Sequence, residues 1–205
     1  MLSTMAAAVM AMSAIIPLSE PQVDVAPDYV TVEVKTVNGS GCPAGTAAVA
    51  AAPDRTAFTV TYSQFLAESG AASDPTDFRK NCQLALQLNY PQGFTFGVTQ
   101  ADYRGFAHLQ PGAVGMEQGN YYFQGMSPTS RKSHTYTGPL SDNWQATDST
   151  EWGAIVYAPC GEQRLFNINT ELRVTAGTST GTSFMVMDST DSNVSTTYHF
   201  SWKRC

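Results

Sequence analysis

The chain has 205 residues, 17 acidic side chains against 11 Lys and Arg, a net charge of −6 and a charged fraction of only 14%. That length suits one domain of ordinary size, with a core that does not depend on metals. The acidic balance excludes a nucleic-acid partner, because phosphate neutralisation needs clustered Lys and Arg. The longest basic runs here are the dipeptides Arg79-Lys80, Arg131-Lys132 and Lys203-Arg204.

In chain order, "MLSTMAAAVMAMSAIIPLSE" is an apolar stretch rich in small residues. It is shorter than the ~20 apolar residues that span a bilayer and reads as a secretory h-region, though without a basic n-region before it. Residues 1–20 are therefore expected to be a signal peptide, 21–28 an extended linker and 29–205 a single secreted, extracellular domain. No later apolar run is long enough for a membrane span.

Alternation of apolar and polar residues then recurs along the chain, the signature of strands with one buried face. Val30, Val32 and Val34 alternate with Thr31, Glu33 and Lys35. Phe58, Val60 and Tyr62 alternate with threonines. The one segment that reads as a helix is "SQFLAES", Ser63 to Ser69, closed by Gly70. Cys82, Leu84, Leu86, Leu88 and Tyr90 share one face of the next strand, and Phe94, Phe96 and Val98 follow. "WGAIVYA", Trp152 to Ala158, is apolar on both parities and reads as a central strand covered on both sides. Phe166, Ile168, Leu172 and Val174 form another face, and Val194, Tyr198, Phe200 and Trp202 the last. The Ala-rich "AGTAAVAAAP" reads as a small-residue strand packed close to a neighbour. Turn signals separate these runs, among them Asn38-Gly39, Pro91-Gln92-Gly93, Pro111-Gly112 and Gly138-Pro139. Many short strands at close spacing predict an all-β fold: a two-sheet antiparallel sandwich, jelly-roll-like.

Cys82 follows Arg79 and Lys80, which raises the question of an activated thiolate. Its place on the apolar parity argues instead for a structural role. Four cysteines, Cys42, Cys82, Cys160 and Cys205, behind a secretion signal imply two disulfides. Of the three possible pairings the sequential one, Cys42–Cys82 and Cys160–Cys205, is favoured. Each bridge closes roughly 40 to 45 residues, or ~4 kcal/mol in the chain-entropy model. No C-x-x-C spacing suggests zinc.

A set of motifs, "NGSGCPAG", "DPTDFRKNCQL", "YPQGFTF", "DYRGF", "YYFQG", "PCG", "NINTELRV", "DSTD" and the closing "SWKRC", resembles the small secreted proteins of fungi and bacteria grouped as domain of unknown function 4360. The resemblance runs from about Val30 to Cys205. It implies secretion and a four-cysteine framework, and it supplies no catalytic residues.

Candidate sites are few. "DYRGF" places Asp102, Tyr103 and Arg104 together, a polar ligand site with an aromatic platform as for a sugar; the structural alternative is an ion pair beside a glycine bend. "GNYYFQG" would turn Tyr122 away from Tyr121 and Phe123. Trp144, after the polar turn in "LSDNWQATD", reads as a loop tryptophan that could stack on a sugar or close the sandwich end. "DPTD" and "DSTD" could offer oxygens to Ca²⁺ but match no EF-hand, and such residues form self-bonded turns without an ion. His108, His134 and His199 are scattered, with no metal-binding spacing, and there is no G-x-S-x-G elbow. A glycosidase would need two carboxylates roughly 5–10 Å apart, and Asp102, Glu117, Asp148, Glu151 and Glu171 are available. Asn38 and Asn193 head N-x-S sequons, meaningful if the source is a eukaryote.

The expectation is a monomeric extracellular binding module for a glycan, cell wall or host surface, with no cofactor or metal and no catalytic signature. The alternatives are a secreted polysaccharide-active enzyme using carboxylates near Asp102, or an effector that binds another protein. Convergence of Asp102, Tyr103, Arg104 and Trp144 in one groove would favour ligand binding there; separation would favour a protein partner.

Overall fold

The computed structural model describes residues 26–127, 131–187 and 195–205. The expected signal peptide, most of the linker, the "DSTD" motif and Asn193 lie outside them. Among the described residues the strands are β1 (Thr31–Asn38), β2 (Ala47–Ala51), β3 (Ala57–Tyr62), β4 (Leu66–Ser69), β5 (Arg79–Asn89), β6 (Phe94–Leu109), β7 (Val114–Phe123), β8 (Lys132–Thr137), β9 (Leu140–Ser149), β10 (Phe166–Thr175), β11 (Ser183–Val186) and β12 (Thr196–Arg204). They form two antiparallel sheets, the expected all-β sandwich.

One sheet has the order β1-β5-β10-β7-β8, the other β2-β3-β12-β6-β11-β4, with β9 added along β6. β6 is the spine of the second sheet. Its first half, Phe94–Asp102, pairs with β12. Its second half carries β11 and, along Gln100–Leu109, β9.

The period-two faces become the core. Cys82, Leu84, Leu86 and Leu88 of β5 meet Phe166, Ile168, Leu172 and Val174 of β10 on the inner face, all buried. Phe58, Val60 and Tyr62 answer from β3. Each such apolar side chain contributes ~1.5–3 kcal/mol by leaving water. A register shift between Val34 and Thr36 in β1 returns Val37, not Thr36, to the core. A second shift between His199 and Phe200 in β12 leaves Phe200 half-buried and seats both Ser201 and Trp202 inside.

Both disulfides are present in the favoured pairing, Cys42–Cys82 (Cα–Cα 5.3 Å) and Cys160–Cys205 (5.7 Å). Cys42 and Cys82 are fully buried, so Cys82 is no nucleophile. Cys160 and Cys205 lie exposed. The Ala-rich segment is β2, an edge strand on β3.

Three local expectations are corrected. Ser63–Ser69 is not a helix. Phe65 and Ala67 are buried while Gln64 and Leu66 face out, a period of two, and Leu66–Ser69 pairs with β11 as β4. The burial of Phe65 against Tyr62, ring centroids 5.1 Å apart, outweighs the helical propensity of a seven-residue run. "LSDNWQATD" is not a loop but the body of β9, so Trp144 is a strand residue. "WGAIVYA" is not a central strand. It is a 3₁₀ turn, Trp152–Ala154, followed by an extended segment with one isolated bridge, Gly97 to Tyr157.

Candidate functional site

The residues expected to bind a ligand do not share a surface. Along β6, Asp102 and Arg104 point outward and Tyr103 inward, as alternation requires. Tyr103 is fully buried, with its hydroxyl so close to β7 that a Cβ on Gly119 would lie 2.2 Å from it. Trp144 is 4% exposed and lies over Gly105, where a Cβ would come 2.5 Å from the indole. Its ring centroid is 5.5 Å from that of Tyr136. A side chain at 105 would collide with Val186 O (2.0 Å) and with the indole.

Asp102 is saturated by its neighbours. It accepts from Gln100 Nε2 (2.8 Å) and Thr147 Oγ1 (2.6 Å), and lies 2.8 Å from His199 Nε2. Burial opposes its ionisation, but these bonds outweigh it and hold its pKa below the ordinary value. Arg104 is exposed beside it.

Tyr122 stands apart from the other four. It lies half-buried on the outer face of β7 and lines a cavity of about 440 Å³. Tyr121, Tyr122 and Phe123 at the end of β7, beyond the described pair of Gly119 with Lys132, form one wall. The opposite wall is the end of β9 and the turn after it, Asp148 to Glu151, with Ala154 and Val156. Val98, Tyr121 and Phe166 form an apolar floor. Tyr121 Oη is 3.2 Å from Thr150 Oγ1 across the cleft.

The turn that follows Glu151 carries an aromatic expected on a central strand. Trp152 is 64% exposed, the most exposed large apolar side chain among the described residues. Its segment is stitched down on both sides. Thr150 N–H donates to Thr99 O (2.8 Å), Ala158 N–H to Phe96 O (2.9 Å), and Thr95 Oγ1 to Ala158 O (2.6 Å). Tyr157 Oη lies 2.8 Å from Ser201 Oγ, and Lys203 Nζ sits 3.8 Å from the Tyr157 ring centroid. The Cys160–Cys205 bridge closes the segment. The available signal was Gly153 within the apolar run and Pro159-Cys160-Gly161 at its end, which leave little room for a ladder strand.

Two of the carboxylates converge behind the cleft. Asp148 reaches its wall, 4% exposed, with His134 Nε2 2.7 Å away. Glu117, opposite His134 in the β7–β8 ladder, is sealed from solvent, and neither of its oxygens has a hydrogen-bond partner among the described residues. Burial first, and Asp148 second, push its pKa well above the usual carboxylate range. Glu117 does not reach the cleft. Glu171 lies elsewhere, on the outer face of β10, bound by Arg79 (2.5 Å) and Arg173 (2.7 Å). Asp77 of "DPTD" is paired with Lys80 at 2.7 Å. Among the described residues no three His, Cys, Asp or Glu are grouped to hold a metal ion, and no helix is long and apolar enough to cross a membrane.

Residues 28–205 match the family described as Domain of unknown function (DUF4360). The chain belongs to that family. An uncharacterized secreted protein of Arthroderma benhamiae is 35% identical over 179 residues, 87% of this chain and 73% of the relative. This DUF4360 protein is likewise secreted, and its two disulfides fit an oxidising compartment. Among solved structures, TmCBM61 in complex with beta-1,4-galactotriose is similar at 13% identity and a TM-score of 0.30, over 88% of this chain and 92% of that one. A likeness that distant carries no argument about this DUF4360 chain.

Proposed function

We propose that this protein is an extracellular binding module for a glycan of a cell wall or host surface, and that the cleft between β7 and the end of β9 receives it. The observation that carries this reading is a cavity of about 440 Å³ with Tyr122 on its wall, and Trp152, 64% exposed, on the 3₁₀ turn between two of its lining residues, Glu151 and Ala154. Lys203 Nζ lies 6.0 Å from the Trp152 ring centroid, and a ligand that covered the exposed indole would remove apolar surface from water. The walls suit a sugar: an apolar floor for a ring face, with hydroxyls at Ser149 and Thr150 and a carboxylate at Glu151 to orient it. Glycan-array binding, followed by affinity electrophoresis of wild type and Trp152→Ala, tests it. Retardation by at least one glycan, lost in the variant at unchanged melting temperature, is the expected result; a flat array would sink the proposal.

A protein partner is the second reading. It is favoured by the separation of Asp102 and Arg104 from Trp144, and by the exposure of both Trp152 and Val156 on the segment after β9. It takes precedence if the glycan array is flat and Trp152→Ala abolishes association with a defined wall or host protein.

A further inference from the structure

The outer face of the five-stranded sheet bears a grid of amides. In register across β5, β10 and β7 run Gln83, Asn169 and Asn120, then Asn81, Glu171 and Gln118. The neighbouring row sets Asn167 beside Tyr122. With strands ~4.8 Å apart, each row offers three polar side chains at a regular spacing.

Strand propensity does not explain this composition. Asn is disfavoured in strands, where Thr, Val and aromatics fit better, yet outward positions of these central strands hold Asn81, Asn120, Asn167 and Asn169. The other sheet follows the ordinary pattern, with Thr59, Thr61, Thr147 and Thr197 on its outer ladders. It also satisfies its polar groups internally, as at Asp102. The amide grid does not. Among the described residues, the side chains of Gln83, Asn120, Asn167 and Asn169 have no hydrogen-bond partner, and all but Gln83 are half-buried. Gln83, Asn120 and Asn169 line a depression of about 130 Å³, with Asn167 one row away. An amide presents two donors and one acceptor with two lone pairs, a set that matches vicinal hydroxyls. Arg79, Arg131 and Glu171 also line it, and Glu171 is bound by both Arg79 and Arg173.

We propose that this sheet face is a second binding surface, for a neutral polysaccharide chain lying across β5, β10 and β7. Unpaired, half-buried amides in register are what a polyhydroxylated, uncharged ligand would complete, and their pairing would be made on binding rather than on folding. The surface does not depend on the cleft for its argument.

Affinity electrophoresis in gels containing a soluble neutral glucan, xylan, mannan or galactan tests it, with polygalacturonate as the acidic counterpart. Wild type should be retarded by at least one neutral polymer, and Asn120→Ala/Asn169→Ala should lose at least tenfold in affinity at unchanged melting temperature. Should that variant fail to fold, Gln83→Ala/Asn167→Ala gives the same reading on the same face. Undiminished retardation of a folded variant overturns the proposal, as does binding confined to polygalacturonate and abolished by salt, or no retardation of wild type by any neutral polymer. Trp152→Ala run in parallel separates the surfaces: loss there with the amide variants unaffected supports the cleft and overturns the sheet-face site, and the reverse supports the sheet-face site alone.

Discussion

Phe166 and Glu117 both point inward from neighbouring strands of one sheet, and their surroundings are opposites. Phe166 has the rings of Phe58, Phe96, Tyr121, Phe123 and Tyr198 around it, with centroids 5.3–6.5 Å away. Edge-on and tilted contacts of this kind add to burial. Glu117 faces the seam where β8 and β9 lead from one sheet to the other, beside His134 and Asp148, and its charge would be felt by Tyr62, Tyr103, Tyr136 and Tyr198. Burial, with Glu117 second, raises the pKa of Tyr136 to about 12. One half of the interior stabilises the fold in the ordinary way. The other buries a carboxyl whose ionisation burial opposes and which has no hydrogen-bond partner among the described residues, at a cost to stability.

Cutting into the aromatic half should have the largest effect. Phe166→Ala is expected to lose ~3–5 kcal/mol, read from urea unfolding, and a loss below 1 kcal/mol would dissolve the contrast. The seam should respond in the opposite sense. Glu117→Met, similar in shape and without the oxygens, should gain ~1–3 kcal/mol at pH 8. The pH dependence fixes the sign. A pKa raised in the folded state means the native protein keeps a proton that the unfolded chain releases, so stability is full below the ordinary value of 4.5 and declines as pH rises above it. Wild type should therefore lose melting temperature from pH 5 towards pH 8 relative to Glu117→Met, and parallel curves would show that Glu117 is not buried neutral.

A smaller change tests the indole over the seam. Trp144 Nε1 has no partner among the described residues, so Trp144→Phe should cost less than ~1.5 kcal/mol despite the lost volume. A much larger cost would mean that this N–H is satisfied in solution. The smallest effect belongs to the outer face. Asp102, with a lowered pKa, contributes stability above the unfolded value of 3.8 that is lost as pH falls through its folded pKa. Asp102→Asn should lower the melting temperature slightly at pH 7, and the gap to wild type should close below pH 3.8.

The aromatic half was legible because it is written locally. Each of Phe58, Phe96, Phe166 and Tyr198 sits on a strand whose own alternation marks its inner face. The seam was not, because the meeting of Glu117, His134 and Asp148 depends on the registers of β7 with β8 and of β6 with β9, and no local pattern encodes a pairing between strands. The same limit hid the amide rows. Asn81, Asn120 and Asn169 look like ordinary polar positions until three strands align them. Trp152 was misread for a different reason. An apolar run has no period to separate a buried strand from a loop held by side-chain bonds, and the ties that hold this one, Thr95, Ser201 and Lys203, come from distant strands.

The contrast between the two sulfur bridges has its own consequence. Cys42–Cys82 is enclosed in the interior, whereas both sulfur-bearing residues of Cys160–Cys205 face water. A thiol reductant reaches its target by direct attack on sulfur, so accessibility ranks the two. Mild reduction of the native protein should open the outer link alone, loosening the tryptophan-bearing turn while the sandwich keeps its shape, and alkylation after such treatment should mark Cys160 and Cys205 and spare the inner pair.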